Sequence, residues 1–218
     1  MTNIEEEFLS LRISLNSPDE IRSHIVSHAD EYVGIIQQED HWFASGAGGN
    51  GIFLRTQPRV APPCLFSLRW SDHEGFLREQ QNIQVLEMDG DDKPSLPKEI
   101  ESLPVKGKIR RAREMWLKKN LRLYLDTIEE VGLYFYAEAI IDERHSLEEC
   151  HDTLSSICTS FNISRTEALF QNYLVLQNEK NEDEARPGSA LSEIREKNQE
   201  EINKRLERLR QLMDEEGE

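Results

Sequence analysis

The sequence is poor in cysteine, in long apolar runs and in positive charge, and each shortage removes a class of protein. Cys64, Cys150 and Cys158 are the only cysteines among 218 residues. Their odd number and irregular spacing exclude a disulfide framework. HSLEECH brings His145, Cys150 and His151 close together, but no four-ligand pattern completes, so the segment reads as two half-buried thiols on a helix with surface histidines. No stretch approaches the roughly 18 apolar residues of a membrane span, and the opening MTNIEEEF lacks the features of a signal peptide. The expectation is therefore a soluble, cytoplasmic protein with no membrane association. Lys and Arg number 26 against 42 Asp and Glu, a net charge of −16. So acidic a chain presents no general surface for nucleic acid, and any anion site must be local and enclosed. A phosphate loop is missing too. The glycine-rich SGAGGNG lacks the G-x-x-x-x-G-K-[ST] spacing and precedes a strand-like run, so it reads as a hairpin connection.

What is present is a chain with 37% hydrophobic residues, enough for one core plus an appendage. EFLSLRISL, EYVGIIQQEDHWF, GIFLRTQ, CLFSLRW, NIQVLEM, IRRAREMWLKKNLRLYLD and VGLYFYAEAII alternate at strand spacing between turn residues, which predicts a largely antiparallel sheet. A helix is expected from Ser17, Pro18 and Glu20 as a capping box, and two more from Ser146 with Glu149 and Ser164 with Glu167. KNEDEARPGSA reads as a linker, 179–188. Beyond it, 189–218 carries Leu191, Ile194, Ile202, Leu206, Leu209 and Met213 as a narrow stripe on a charged helix. That long C-terminal helix either docks back on the domain or pairs through 189–217 with a second copy or another protein, as a coiled coil would.

The strand faces share a feature. Leu9, Leu11, Ile13 and Leu15 oppose Phe8, Ser10, Arg12 and Ser14. Ile52 and Leu54 oppose Phe53 and Arg55, and Phe66, Leu68 and Trp70 oppose Ser67 and Arg69. Arg78, Gln80, Asn82 and Gln84 oppose Ile83 and Val85. Arg111 and Arg113 share a side, as do Arg122, Tyr124 and Asp126. An ordinary half-solvated sheet would mix Lys, Glu, Thr and Arg on its wet face. Here the basic residues are nearly all arginine, whose planar fork suits bidentate contact with phosphate in an enclosed site.

These residues resemble the CYTH, or triphosphate tunnel, family, which includes class IV adenylyl cyclases and thiamine triphosphatases. Phe8 to Arg12 stands where the family has E-x-E-x-K. Gln38, Asp40, Trp42 and Phe43 echo its Q-x-D-x-Y-F strand, and Arg55 in FLRTQ and Arg69 in LFSLRW echo its basic strands. Arg111, Arg113 and Trp116 match K-x-R-x-x-Y. Asp126, Gly132, Tyr134 and Glu138 match the L-D-x-V-x-x-L-G-x-F-x-E-I-E run. The resemblance covers roughly 8 to 178 and implies an α+β fold, a closed antiparallel β-tunnel of about eight strands with flanking helices, in a domain spanning 1–178. It implies that Arg12, Arg55, Arg69, Arg78, Arg111, Arg113 and Arg122 point inward to grip a triphosphate or polyphosphate. Candidate ligands are a nucleotide, thiamine triphosphate, inorganic polyphosphate or an RNA 5′ end. Trp42, Trp70 and Trp116 read as core or rim packing.

The departures concern metal. Phe8 and Ser10 replace the first-strand glutamates, Tyr136 stands at the first Glu of E-I-E, and Glu79 lies in an ambiguous register. Asp126 and Glu138 remain as candidate ligands for one Mg²⁺ or Mn²⁺. Arginines without their acids would repel one another unless an anion sat among them. Three functions follow as expectations: a degenerate tunnel that binds a polyphosphate-bearing ligand, a pseudoenzyme; a metal-dependent triphosphatase or nucleotidyl cyclase with a reduced acid set; or a scaffold acting through its C-terminal helix.

Overall fold

The computed structural model describes residues 2–46, 50–58, 60–89, 93–169 and 173–184, together with residue 204. Eight strands run β1 (Asn3–Leu15), β2 (Glu31–Gly46), β3 (Asn50–Gln57), β4 (Ala61–His73), β5 (Phe76–Val85), β6 (Gly107–Lys118), β7 (Leu121–Ile128) and β8 (Gly132–Ile141). They close into one antiparallel barrel in the order β1-β5-β4-β3-β2-β6-β7-β8. Helix α1 (Pro18–His28) links β1 to β2, the single turn α2 (Lys98–Glu101) lies between β5 and β6, and α3 (Leu147–Ser160) and α4 (Tyr173–Glu184) follow β8. The expected closed tunnel of about eight strands is therefore present. No helix among the described residues is long and apolar enough to cross a membrane.

Closure gives every strand an inner and an outer face, and period two sorts the residues between them. On β1, β7 and β8 the outer face is apolar. Leu9, Leu11, Leu121, Leu123, Leu125, Phe135, Ala137 and Ala139 pack against Ile21 and Ile25 of α1 and Cys150, Leu154 and Ile157 of α3. These strands are buried on both sides, which is why their outer positions are Leu, Phe and Ala rather than the charged residues of a wet sheet. Outside β2 to β4 a smaller cluster of Phe43, Leu54, Leu65 and Leu86 takes the partly buried Ile100 of α2.

Helix α3 begins with the capping box expected from the sequence, Ser146 accepting from the Glu149 amide and Glu149 reaching back to the Ser146 amide. The other two starts differ. Ser17 makes no side-chain cap bond; α1 begins on Pro18 alone, whose fixed φ suits the first helical turn. Ser164 opens only a 3₁₀ turn, Arg165–Glu167, and helix resumes at Tyr173. Helix α4 then continues to Glu184, into the stretch expected as linker. The C-terminal helix expected over 189–218 lies outside the described residues, apart from Lys204.

The layer between α3 and the barrel should dominate stability. Leu154→Ala, at a fully buried position, is expected to cost about 2–5 kcal/mol in urea unfolding, whereas Val26→Ala, 61% exposed on α1, should stay within about 0.5 kcal/mol.

Candidate functional site

The inner face is where the arginines were expected, and most of them are there. Arg12 on β1, Arg55 on β3, and Arg111 and Arg113 on β6 line one cavity of about 60 Å³ together with Asp40, Glu79, Glu138 and several aromatic residues. Arg122 also faces inward, but it pairs with Glu6 at 3.1 Å and Glu138 at 3.6 Å and is not part of that lining. Arg69 and Arg78 do not belong to the site. Leu68 and Trp70 occupy the inward positions of β4, which turns Arg69 out to solvent. On β5, Leu77, Glu79 and Gln81 line the cavity, so Arg78 lies outside, bonded to Glu7. A one-residue difference in register separates the two faces of a strand. The arginine and glutamine parity of β5, read as the functional side, is the outer one.

The same register brings Glu79 into the interior. It accepts hydrogen bonds from Ser10 Oγ at 2.5 Å and Tyr136 Oη at 3.0 Å. Ser10 thus holds a carboxylate supplied by the neighbouring strand where the family motif would have supplied its own. Phe8 fills its position with bulk, in a cluster with Tyr124 and Tyr136 and the partly buried Met115.

The expectation that the inward arginines lack acids is corrected by the geometry. Asp40 accepts from Arg55 at 2.7 and 2.9 Å and from Arg111 at 3.0 Å. Asp126 holds Arg113 in a two-point pair at 2.7 and 2.6 Å. Burial alone would raise the Asp126 carboxyl, but Arg113, Arg111 and the Tyr173 hydroxyl hold it at about 2. Asp40 is likewise held below its ordinary value against burial by Arg111 and Arg55. Glu79 goes the other way: burial raises it, Arg12 offsets only part, and Glu138 adds to the rise. Carboxylates of the chain itself make much of the crowding of guanidiniums tolerable.

The compensation is incomplete at one place. Asp40 serves two guanidiniums, and Gln38, neutral, supplies the other acceptor of Arg111 at 2.7 Å. Burial lowers Arg111 to about 10, with Arg113 and Arg55 pushing the same way against Asp40. Near it, Tyr173 of α4 reaches into the barrel. Its hydroxyl donates to Asp126 at 2.8 Å, its ring lies 4.4 Å from the Arg12 guanidinium carbon, and it is 4% exposed. Leu174 seats on Gly107, where a Cβ would come within 2.2 Å of its side chain; glycine there lets α4 dock. Nothing in the sequence motifs marked Tyr173, because its role depends on where a helix after the barrel returns.

The two carboxylates expected to share a metal are set apart by the strand register. Asp126 stands opposite Tyr134 and Glu138 opposite Arg122, four positions apart along the ladder or about 13 Å. They therefore do not form the expected pair. Among the described residues no three His, Cys, Asp or Glu side chains come together as a ligand set. Both oxygens of Asp126 are committed to Arg113.

No family model matches the chain, and no curated protein matches it. Solved structures do. A protein from Pyrococcus horikoshii OT3 is 18% identical with a TM-score of 0.62, over 81% of this chain and 99% of that one. A candidate adenylate cyclase from Vibrio parahaemolyticus is 12% identical with a TM-score of 0.57, over 81% and 97%. A Hippeastrum candidate adenylyl cyclase, described as having a dominant triphosphatase activity, is 15% identical with a TM-score of 0.55, over 79% and 95%. At such identities the likeness is one of fold, the closed eight-stranded antiparallel barrel.

The two shifted carboxyls give opposite pH limbs. Asp126 lies below its ordinary 3.8, so its contribution, on the order of 2 kcal/mol, is present above that value and lost as pH falls through about 2. Glu79 is raised, so its contribution is present at low pH and lost as pH rises through the folded value. Glu79→Gln, which keeps an acceptor for Ser10 and Tyr136, should therefore raise the urea midpoint at pH 7 and leave it nearly unchanged at pH 4.

Proposed function

We propose that this chain binds a phosphate-bearing ligand in the barrel through Arg12, Arg55 and Arg111, with no metal of its own. The observation that carries the reading is the sharing of one carboxylate, Asp40, between Arg55 and Arg111. Two buried fixed cations with one fixed anion attract a further anion, and planar guanidiniums suit the oxygens of a phosphoryl group. Arg12 stands on the same cavity wall, beside Glu79. With Tyr173 in place, a cavity of about 60 Å³ holds one phosphoryl group or a few waters. A longer polyphosphate chain requires Tyr173 to withdraw from Asp126 and Arg12. Binding is preferred to turnover because Asp126 and Glu138 stand four positions apart along the ladder, and among the described residues no three candidate ligands gather to hold a metal that would orient a nucleophile.

One observation favours a second reading, in which the interior is structural and the chain acts as a scaffold. Each inward arginine meets a carboxylate of the chain itself: Arg55 and Arg111 meet Asp40, Arg113 meets Asp126, Arg122 meets Glu6, and Arg12 feels Glu79. Phe8 and Tyr124 fill space a tunnel would leave open.

Thermal unfolding with inorganic phosphate, pyrophosphate and tripolyphosphate separates the two. The binding reading predicts stabilisation that persists in chelator, about 2.7 kcal/mol at a hundredfold excess over Kd, and is lost in Arg111→Gln. A melting temperature indifferent to all three anions supports the scaffold. Hydrolysis of tripolyphosphate with Mg²⁺ or Mn²⁺, abolished by Glu138→Gln, would contradict both in favour of a triphosphatase.

A further inference from the structure

Outside the barrel, beside α1, lies a groove of about 410 Å³. Val26 of α1 and the run Asp30, Glu31 and Tyr32 form its rim, and the buried Glu114 and Trp116 of β6 form its floor. Tyr32 leans on Trp116 with ring centroids 5.3 Å apart. Val26 is 61% exposed, Tyr32 48%, and Val33, the next residue along, 44%. Single exposed apolar side chains are ordinary. Three gathered beside one groove are the mark of an interaction surface. The polar groups around them carry a sign. Glu114 is paired with Arg22, whereas the exposed Asp30 and Glu31 form no ion pair among the described residues. The groove is apolar within and anionic at its lip.

The chain itself contains the complement. In KRLERLRQLM, residues 204–213, Leu206, Leu209 and Met213 recur at helical spacing. Around them Lys204, Arg205, Arg208 and Arg210 outnumber the single acid Glu207. The distance is within reach. Helix α4 seats Leu174 on Gly107, which lies on the same strand as Trp116 and about 30 Å from it. The length of α4 adds at most about 18 Å, and residues 185–203 at full extension reach about 60 Å.

We propose that this groove is the docking site of the chain's own residues 204–213. Leu206, Leu209 and Met213 lie against Val26, Tyr32 and Val33, with the arginines beside Asp30 and Glu31. Tethering favours this occupant over a second copy, because a segment on the same chain is present at an effective concentration on the order of millimolar. The contact is on the outer surface and is independent of what the cavity binds.

The test is a disulfide trap in the full chain at micromolar concentration, on a Cys64→Ser background that removes the half-buried native thiol. Val26→Cys is combined with Leu209→Cys, at the centre of the run. Val60→Cys, 55% exposed between β3 and β4, is combined with the same Leu209→Cys as control. The Val26 pair should close within one chain about tenfold faster than the Val60 pair. Asp30→Lys with Glu31→Lys should slow that closure about fivefold, and adding Arg205→Glu with Arg208→Glu should restore it. A disulfide between two chains overturns the intramolecular occupant and makes the groove an interface between copies. Equal rates for the two pairs, indifference to the first charge reversal, or failure of the second to restore the rate overturns the docking of 204–213.

Discussion

Asp40 sits on β2 between Arg55 on β3 and Arg111 on β6, and its one carboxylate bonds both. The interior is arranged around that shortage. A buried guanidinium is tolerated only with an anion in contact, because desolvating it costs several kcal/mol that must be recovered locally. The chain meets the cost for Arg113 with Asp126 alone, and for Arg122 with Glu6 and Glu138. At Arg55 and Arg111 it falls one charge short. The excess is small, it is walled in, and it lies next to the opening. A protein of net charge −16 thereby keeps a cationic site that its outer field would otherwise mask.

Among the described residues the carboxylates form no three-ligand cluster. In a site of the metal-binding kind the acids would converge on one another. Here Asp40 and Asp126 are turned toward arginines, and Glu79 and Glu138 toward tyrosine hydroxyls. Tyr124 donates to Glu138 at 2.8 Å and Tyr173 to Asp126 at 2.8 Å. Phe8 packs inward with Tyr124 and Tyr136. The inner surface of this barrel is close to a packed core with fixed, paired charges. What remains open is a cavity with a cationic side and an aromatic side.

The barrel itself was legible in the sequence because closure enforces period two on every strand, and residues such as Leu9 to Ile13 against Phe8 to Arg12 show that alternation without ambiguity. The inward arginines on β1, β3, β6 and β7 followed from it. Strand β5 misled, since Arg78, Gln80 and Asn82 form a polar row that looks functional, while the inner row of Leu77, Glu79 and Gln81 looks mixed. Arg69 was misplaced because its neighbours Leu68 and Trp70 read as an outer apolar face, although in a tunnel lined partly by aromatics that face is the inner one. The pairing of Asp40 with two arginines was not readable at all. It joins residues 15 and 71 positions apart, and only the strand order puts them side by side. Tyr173 was invisible for the same reason: no local pattern says where a chain that has left the barrel comes back.

The most direct measurement is a crystal of this protein soaked in a heavy tetrahedral oxyanion such as tungstate, with the anomalous signal mapped. The account predicts a peak inside the barrel within hydrogen-bonding distance of both Arg55 and Arg111. Peaks confined to the outer surface, with Arg55 and Arg111 still sharing Asp40 and nothing between them, would contradict it.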